Sequence, residues 1–264
     1  MDEFKAKIFN IERERDVDGP GIRTLVGFCG CPLKCAYCLN KEALSSGKGK
    51  WYSPESLLQE VQMDDMYFQS TGGGITFGGG EPALQSEFIV RFREICPPEW
   101  TLAIETSLNV PQEHIEALIG AIDYWYVDIK DMNPEIYEWY TGKCNQQVKE
   151  NLKFLAVQEN RGEILARVPL IDGYNDFDNQ LKSFVELESL RIKYETLTYT
   201  KNERLYFNEK RLRGALVLPT DSPENTDGEE LKKKQEQLKE EVRKWWEPEM
   251  GAFEDIKWRK DDWD

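Results

Sequence analysis

The stretch Cys29-Gly30-Cys31-Pro32-Leu33-Lys34-Cys35-Ala36-Tyr37-Cys38-Leu39-Asn40 holds four of the six cysteines of this 264-residue chain. Thiolates are the usual protein ligands of iron–sulfur clusters. Cys31, Cys35 and Cys38 have three and two residues between them, a spacing that lets one loop wrap a single cubic cluster. Three thiolates leave one iron open, and a catalytic metal centre keeps such an open position. We therefore predict a catalytic 4Fe–4S cluster in the loop at residues 29–40, held by these three cysteines.

Two other interpretations of this loop stay open. Cys29 is a candidate fourth ligand, although one intervening residue is a tight spacing for two ligands of one cubane; the alternative is a small buried residue at the end of a strand. A zinc site would need four nitrogen or sulfur ligands, and the single histidine, His114, lies far along the chain on a predicted helix. Cys96 and Cys144 have no partners at ligand spacing and are predicted to be isolated thiols.

The composition narrows the classes of partner. The formal net charge is −15, and 31% of the residues are charged. A field of that sign repels phosphate backbones and anionic lipid surfaces, so we expect no nucleic-acid partner. No apolar run approaches the roughly 18 residues of a membrane helix, and residues 1–5 lack the apolar stretch of a signal peptide. We therefore expect a cytoplasmic protein with no membrane association.

Hydrophobic periodicity predicts alternating strands and helices. The predicted strands lie at 24–28, 75–77, 102–104, 124–129, 164–170 and 194–198, with helices starting at 53 and near 85–95, 111–119, 148–157 and 180–190. Such alternation indicates βα units around a parallel sheet, and six units are enough for an open or incomplete barrel. In such folds the functional residues follow the carboxyl ends of the strands. The cysteines, the glycines at 78–80, Glu105-Thr106, and Asp128 with Lys130 all follow predicted strands.

The last sixty residues or so have a different character. We predict a core at 1–204 and a C-terminal extension at 205–264. Within the extension, an amphipathic helix is predicted at about 228–246, with Leu231, Leu238, Val242 and Trp245 on one stripe.

Several further motifs accompany the cysteines. They are, in chain order, Asp18-Gly19-Pro20-Gly21-Ile22-Arg23, Gly30-Cys31-Pro32-Leu33, Gly79-Gly80-Glu81, Tyr126-Val127-Asp128-Ile129-Lys130, Tyr140-Thr141-Gly142, and Arg167-Val168-Pro169-Leu170-Ile171-Asp172-Gly173-Tyr174-Asn175. With Cys-x3-Cys-x2-Cys and an aromatic residue before the last cysteine, the chain resembles the radical S-adenosylmethionine (SAM) superfamily over about residues 5–200. Within it, the chain resembles the glycyl-radical-enzyme activating enzymes of the pyruvate formate-lyase activating type.

This resemblance implies an α/β fold, a partial (βα)6 radical SAM barrel with a C-terminal helical extension. It implies an enzyme that cleaves SAM reductively at the 4Fe–4S cluster to a 5′-deoxyadenosyl radical, which abstracts hydrogen from a glycine of a glycyl radical enzyme. A peptide or small-molecule substrate is the alternative, and a non-catalytic binding protein is a third possibility that the intact cysteines argue against. No ferredoxin-like cysteine insertion is present, so we expect an external electron donor, a flavodoxin or ferredoxin, and a monomeric enzyme.

The resemblance also assigns residues to the SAM site. They are Tyr37, Cys38, Leu39, Gly79, Gly80, Glu81, Glu105, Thr106, Asp128, Ile129, Lys130, Arg167 and Thr200. Tyr37 would lie near the adenine, and the two glycines would let the backbone approach the methionine amino group. Arg167 would pair with the SAM carboxylate or be ion-paired within the protein. Asp128 and Lys130 lie on one side of a strand and would contact SAM or form a buried ion pair.

Two positions depart from the family pattern. Glu105 stands where relatives carry Asp, which leaves a monovalent cation site in question. No histidine occurs near the sixth strand, where Thr200 is the candidate replacement. The segment Asp18–Arg23 is a tentative substrate-binding surface for the partner's glycine loop; a plain turn is the alternative, because Asp-Gly-Pro-Gly is strong turn chemistry.

Overall fold

The computed structural model describes residues 4–44, 49–171, 175–200 and 203–206. The strands are β1 (Ala6–Arg15), β2 (Arg23–Phe28), β3 (Lys50–Tyr52), β4 (Gly74–Gly79), β5 (Thr101–Thr106), β6 (Tyr124–Asp128), β7 (Glu163–Ile171), β8 (Lys193–Thr200) and β9 (Glu203–Tyr206). They form one sheet in the order β3-β1-β2-β4-β5-β6-β7-β8-β9. From β2 through β8 the neighbouring strands are parallel. These are the six strands that the sequence predicts, so the α/β class with a parallel sheet is confirmed.

Antiparallel strands border the parallel sheet on both sides. β1 pairs with β2 and β3, and β9 pairs with β8. β1 is not among the strands predicted from the sequence, because little of it is strongly apolar: Ala6 and Ile8 are buried, whereas most of the remainder is partly exposed. A search for short apolar runs finds strands buried on both faces and overlooks edge strands of this kind.

The helices occupy the connections between strands. They are α1 (Pro54–Val61), α2 (Asp65–Thr71), α3 (Ser86–Ile95), α4 (Gln112–Leu118), α5 (Pro134–Thr141), α6 (Gln146–Ala156) and α7 (Phe177–Ser189). The predicted start of α1 is confirmed, because the Ser56 N–H donates to the Ser53 hydroxyl at 3.2 Å and the Ser53 N–H donates to the Ser56 hydroxyl at 2.9 Å. Helices α2 and α5 are not among those predicted from the sequence.

The two faces of the parallel sheet differ in chemistry. Trp125 and Val127 of β6 are fully buried in the apolar core. Tyr124, Tyr126 and Asp128, which alternate with them, are half-buried on the opposite face. Successive side chains of a strand point to opposite faces of the sheet. We call the polar face that carries Tyr124, Tyr126 and Asp128 the inner wall; the opposite, apolar face packs against the core.

The boundary predicted after residue 204, the extension at 205–264 and its helix at about 228–246 lie at or beyond the end of the described residues, and they stay predictions. In the part of the chain that is described, no helix combines the length and apolar character needed to cross a membrane.

Candidate active site

The cysteine loop follows the carboxyl end of β2. Cys31, Cys35 and Cys38 line a single cavity of about 480 Å³, together with Lys34 and Lys41. Cys29 does not line this cavity, and its sulfur lies instead beside Gly49, where an added Cβ would be 3.0 Å from it. The three predicted ligands are thus gathered around one space, and the fourth thiol of the loop faces elsewhere.

Three thiols around one cavity are the donor set that an iron–sulfur cluster takes, although they must first lose their protons. Burial raises the pKa of Cys31 to about 12 and also raises the pKa of Cys35. Ligand thiols must lose their protons to bind metal, so cluster insertion should release protons at this loop. Among the described residues, no three potential ligands converge on one point. A cubane takes its thiolates on separate irons, so loop spacing and a shared cavity are the relevant tests of fit.

The glycine turn after β4 lies directly beneath the cysteine loop. The Gly80 N–H donates to the Phe28 carbonyl at 2.9 Å, and the Glu81 N–H donates to the Gly30 carbonyl at 2.8 Å. A Cβ at position 80 would lie 2.1 Å from the Gly30 oxygen, and Gly79 has φ +92. Gly80 is therefore required by the close passage of the cysteine loop, and Gly79 by its left-handed backbone conformation.

Glu81 joins the ends of two neighbouring strands. Its carboxyl accepts hydrogen bonds from the Thr106 hydroxyl at 2.6 Å and from the Ser107 N–H and hydroxyl at 2.9 and 2.6 Å. The side chain is only 2% exposed. Burial raises the pKa of Glu81, and the bonds from Ser107 and Thr106 oppose that shift only in part. Glu81 therefore holds the glycine turn and the end of β5 together from a position closed to solvent.

Replacing Glu81 by glutamine should change how stability depends on pH. The pKa of Glu81 in the folded protein lies above its ordinary value of 4.5. At a pH between the unfolded-state pKa and the raised folded-state pKa, the folded protein keeps a proton on Glu81 that the unfolded protein loses. Over that interval the free energy of unfolding falls as pH rises, by at most about 1.4 kcal/mol per pH unit. Urea unfolding of the iron-free protein measures this. The free energy of unfolding of wild type minus that of Glu81→Gln should fall as pH rises; a difference that grows with pH would contradict the assignment.

A row of ion pairs lies on the inner wall. Arg167 of β7 donates to the Glu105 carboxylate at 2.6 Å, and its guanidinium lies 4.7 Å from the centre of the Tyr126 ring. Lys130 donates to Asp128 at 2.9 Å. Burial opposes the charge of Arg167, but Glu105 and Asp128 outweigh it and raise the pKa of Arg167. Burial likewise raises the pKa of Asp128, but Lys130 and Arg167 reverse this and leave that pKa below its usual range.

The remaining predicted SAM-site residues are distributed as follows. Tyr37 is half-buried in the cysteine loop, and Leu39 is 54% exposed beside it. Thr106 turns its hydroxyl toward Glu81. Ile129 is buried in the apolar core, and its N–H donates to the Arg167 carbonyl of β7 at 2.9 Å. The side chain of Thr200 lies outside the described residues.

The segment Asp18–Arg23 lies at the opposite end of the parallel strands from the cysteines. Arg23 opens β2 and is fully buried, donating to the hydroxyls of Thr76 at 2.6 Å and Thr101 at 2.9 Å. Burial lowers its pKa to about 10. Asp18 accepts from Arg15 at 2.7 Å. This segment thus seals the amino-terminal end of the sheet, and its contact with a substrate stays a prediction.

Two contributors to the site were missed at the level of sequence. Phe9 of β1 covers the glycines on the inner face, since a Cβ at Gly27 or at Gly79 would lie 2.7 Å from its ring. Helix α5 touches the cysteine loop through its last carbonyls, from Tyr140 and Thr141. The signal for α5 was present in Asn133-Pro134, an N-cap followed by a first-turn proline.

Comparison with known families agrees with this geometry. The model of the radical SAM superfamily matches residues 25–185. This chain belongs to the radical SAM superfamily. The pyruvate formate-lyase-activating enzyme of Clostridium pasteurianum is 31% identical to this radical SAM protein over 244 residues, 89% of this chain and 98% of the relative. The (2S)-3-sulfopropanediol dehydratase activating enzyme of Klebsiella oxytoca is 29% identical over 231 residues, 64% of this chain and 72% of the relative. The predicted resemblance to glycyl-radical-enzyme activating enzymes is confirmed.

A solved structure shows the same fold. Streptococcus suis SuiB bound to S-adenosylmethionine superposes with a TM-score of 0.52 at 11% identity, covering 81% of this chain and 45% of that chain. The radical SAM protein described here thus spans less than half of the length of SuiB. At this identity the match concerns the fold alone.

Proposed function

We propose that this radical SAM protein is a glycyl-radical-enzyme activating enzyme. The single observation that carries the proposal is the three-cysteine cavity packed on the Gly79-Gly80-Glu81 turn, in a chain that aligns with nearly the whole length of an activating enzyme. When bound, the cluster and SAM would supply a one-electron reductive cleavage to a 5′-deoxyadenosyl radical, which would take a hydrogen atom from a glycine of the partner.

The residues of the chain divide this work in two parts. Cys31, Cys35 and Cys38 would hold the cluster with an iron left open. The inner wall would bind SAM: Arg167 would meet its carboxylate, and Lys130 with Asp128 would contact its polar groups. Because Arg167 lies between Glu105 at 2.6 Å and Glu195 at 3.9 Å, the SAM carboxylate would have to compete with two protein carboxylates. We propose that a monovalent cation binds near these two carboxylates, those of Glu105 and Glu195.

The test separates cofactor chemistry from partner identity. After anaerobic reconstitution and reduction, the protein should convert SAM to 5′-deoxyadenosine. Mixed with a candidate glycyl radical enzyme, it should produce the doublet of a glycyl radical in electron paramagnetic resonance. Cleavage of SAM without a radical on any such partner would favour a peptide or small-molecule substrate. No cleavage at all would refute both functions.

The electron donor is proposed on chemical grounds. The lining of the cysteine cavity includes Lys34 and Lys41 and no carboxylate among the described side chains, on a chain of net charge −15. The negative charge of the rest of the protein would repel an acidic flavodoxin or ferredoxin, whereas the two lysines of the cysteine cavity would attract it. We propose such an external donor, a monomeric enzyme and a cytoplasmic location.

Replacing Arg167 by methionine should weaken SAM binding by at least about 10-fold, because a hydrogen bond between charged groups contributes roughly 1.5–3 kcal/mol. Equilibrium dialysis of the reconstituted protein against SAM measures the effect. Arg91→Met is the control, since Arg91 pairs with Glu94 at the surface. Unchanged SAM binding by Arg167→Met would leave Arg167 with a role only in the ion pair with Glu105.

A further inference from the structure

The carboxyl end of α5 lies against the cysteine loop. The Lys34 N–H donates to the Thr141 carbonyl at 2.9 Å, and the Ala36 N–H donates to the Tyr140 carbonyl at 3.0 Å. The last carbonyls of a helix lack partners within the helix, so here the loop supplies them. These two amides flank Cys35, and the helix therefore fixes the backbone on both sides of this cysteine.

The end of α5 is itself held in one conformation. Gly142 takes the left-handed conformation with φ +73, and its N–H donates to the Glu138 carbonyl at 2.7 Å. The fully buried Thr141 donates from its hydroxyl to the Tyr137 carbonyl at 2.7 Å. Glycine is the usual residue in this position of a helix end, so the Thr141-Gly142 pair defines where the two accepting carbonyls point.

Helix α5 is also tied to the ends of the parallel strands. The Tyr137 hydroxyl accepts from Asn109, on the loop after β5, at 3.0 Å, and Asn109 donates as well to the Cys144 carbonyl at 2.9 Å. Beyond the helix, Asn145 is buried and donates to the Asp131 carbonyl, after β6, at 3.2 Å. The helix thus acts as a strut between the inner wall and the cysteine loop.

We propose that Thr141 and Gly142 are positioning residues for the iron–sulfur loop. They aim the carbonyls of Tyr140 and Thr141 so that the amides of Lys34 and Ala36 are engaged and Cys35 is presented to the cavity. No bond to the cluster is involved. The inference rests on the cluster site of the proposed function and is independent of the partner enzyme.

A second helix end in the same chain supplies a matched control. Helix α2 also ends in a Thr-Gly pair: the Thr71 hydroxyl donates to the Tyr67 carbonyl at 2.7 Å, and Gly72 has φ +67. Among the described atoms, none lies within 4 Å of a Cβ added at Gly72 or at Gly142. Alanine at either position therefore introduces the same left-handed strain, roughly 1–2 kcal/mol, but only Gly142 adjoins the cysteine loop.

The experiment follows iron loss from the reconstituted protein to a chelator, without SAM or partner, beside thermal unfolding of the iron-free protein. Gly142→Ala and Gly72→Ala should lower Tm to a similar extent. Gly142→Ala alone should lose iron faster, on the order of 10-fold, as is typical when a residue supporting a metal ligand is changed. Equal rates of iron loss for the two variants would overturn the proposal.

A second pair of variants keeps the test decisive if Gly142→Ala folds poorly. Thr141→Val removes the hydroxyl with little change of shape, and Thr141→Ser restores it. We expect faster iron loss from Thr141→Val and recovery in Thr141→Ser; iron retention in Thr141→Val equal to wild type would refute the role of this threonine. If iron behaves as expected and no partner acquires a radical, only the activating function fails.

Discussion

Cys35→Ala should abolish both cluster binding and formation of 5′-deoxyadenosine. Cys35 is the middle of the three thiols around the cavity, and α5 fixes the backbone on both sides of it. Two thiolates cannot hold three of the four irons, so we expect the reconstituted variant to lack the visible absorption of an iron–sulfur protein. SAM cleavage should fall to the background of the reductant alone. Iron and sulfide analysis with product chromatography measures both quantities.

Cys29→Ala is the matched control for this loss. Cys29 belongs to the same loop, but its sulfur lies beside Gly49 rather than in the cavity. We expect Cys29→Ala to bind iron and cleave SAM as wild type does. Loss of the cluster in Cys29→Ala would identify this residue as a fourth ligand and would contradict the open iron on which the proposed chemistry depends.

Gly80→Ala should be the most damaging of the glycine substitutions at this site. Its Cβ would lie 2.1 Å from the Gly30 carbonyl oxygen, which is backbone at the start of the cysteine loop. The loop or the glycine turn must shift, and overpacking of this kind costs roughly 1–3 kcal/mol. Because both segments belong to the site, we expect loss of most of the bound iron after reconstitution, together with a lower Tm of the iron-free protein.

Gly78→Ala, two residues away, isolates the cause. There the nearest atom to an added Cβ is the Glu105 Oε2 at 2.9 Å, the end of a flexible side chain that can move aside. Iron content close to wild type in Gly78→Ala and a large loss in Gly80→Ala would locate the constraint in the backbone contact. Equal losses would show that any side chain in this stretch is harmful, whatever it meets.

The parallel sheet and the cysteine loop could be predicted from the sequence because both depend on local patterns. Short apolar runs such as the one at β4 indicate buried strands, and the spacing of Cys31, Cys35 and Cys38 lies within one loop. The polar residues of the inner wall could be named from the sequence, but the ion pairs between them could not. Arg167 and Glu105 lie 62 residues apart, and whether such a pair forms depends on the register of β5 through β7.

The elements that were missed share a physical cause. β1 buries little apolar surface, and α5 has only eight residues, so neither leaves a long periodic pattern. Their roles come from main-chain groups, as in the carbonyls of Tyr140 and Thr141, which every residue type carries. A pattern of side chains cannot predict which main-chain carbonyl accepts a hydrogen bond. The contact between α5 and the cysteine loop could therefore be found only from the structure.

The space beside Gly78 also limits which residues can occur together at positions 78 and 105. The carboxylate of Glu105 fills the volume that a Cβ at residue 78 would occupy, and it meets Arg167 there. An alanine at residue 78 would be accommodated by displacing this carboxylate from its place beside Arg167, whereas Glu105→Asp would vacate the volume outright. The two positions are therefore expected to be coupled: among variants with alanine at residue 78, a library that also varies residue 105 should recover more SAM-binding proteins than one that keeps the glutamate.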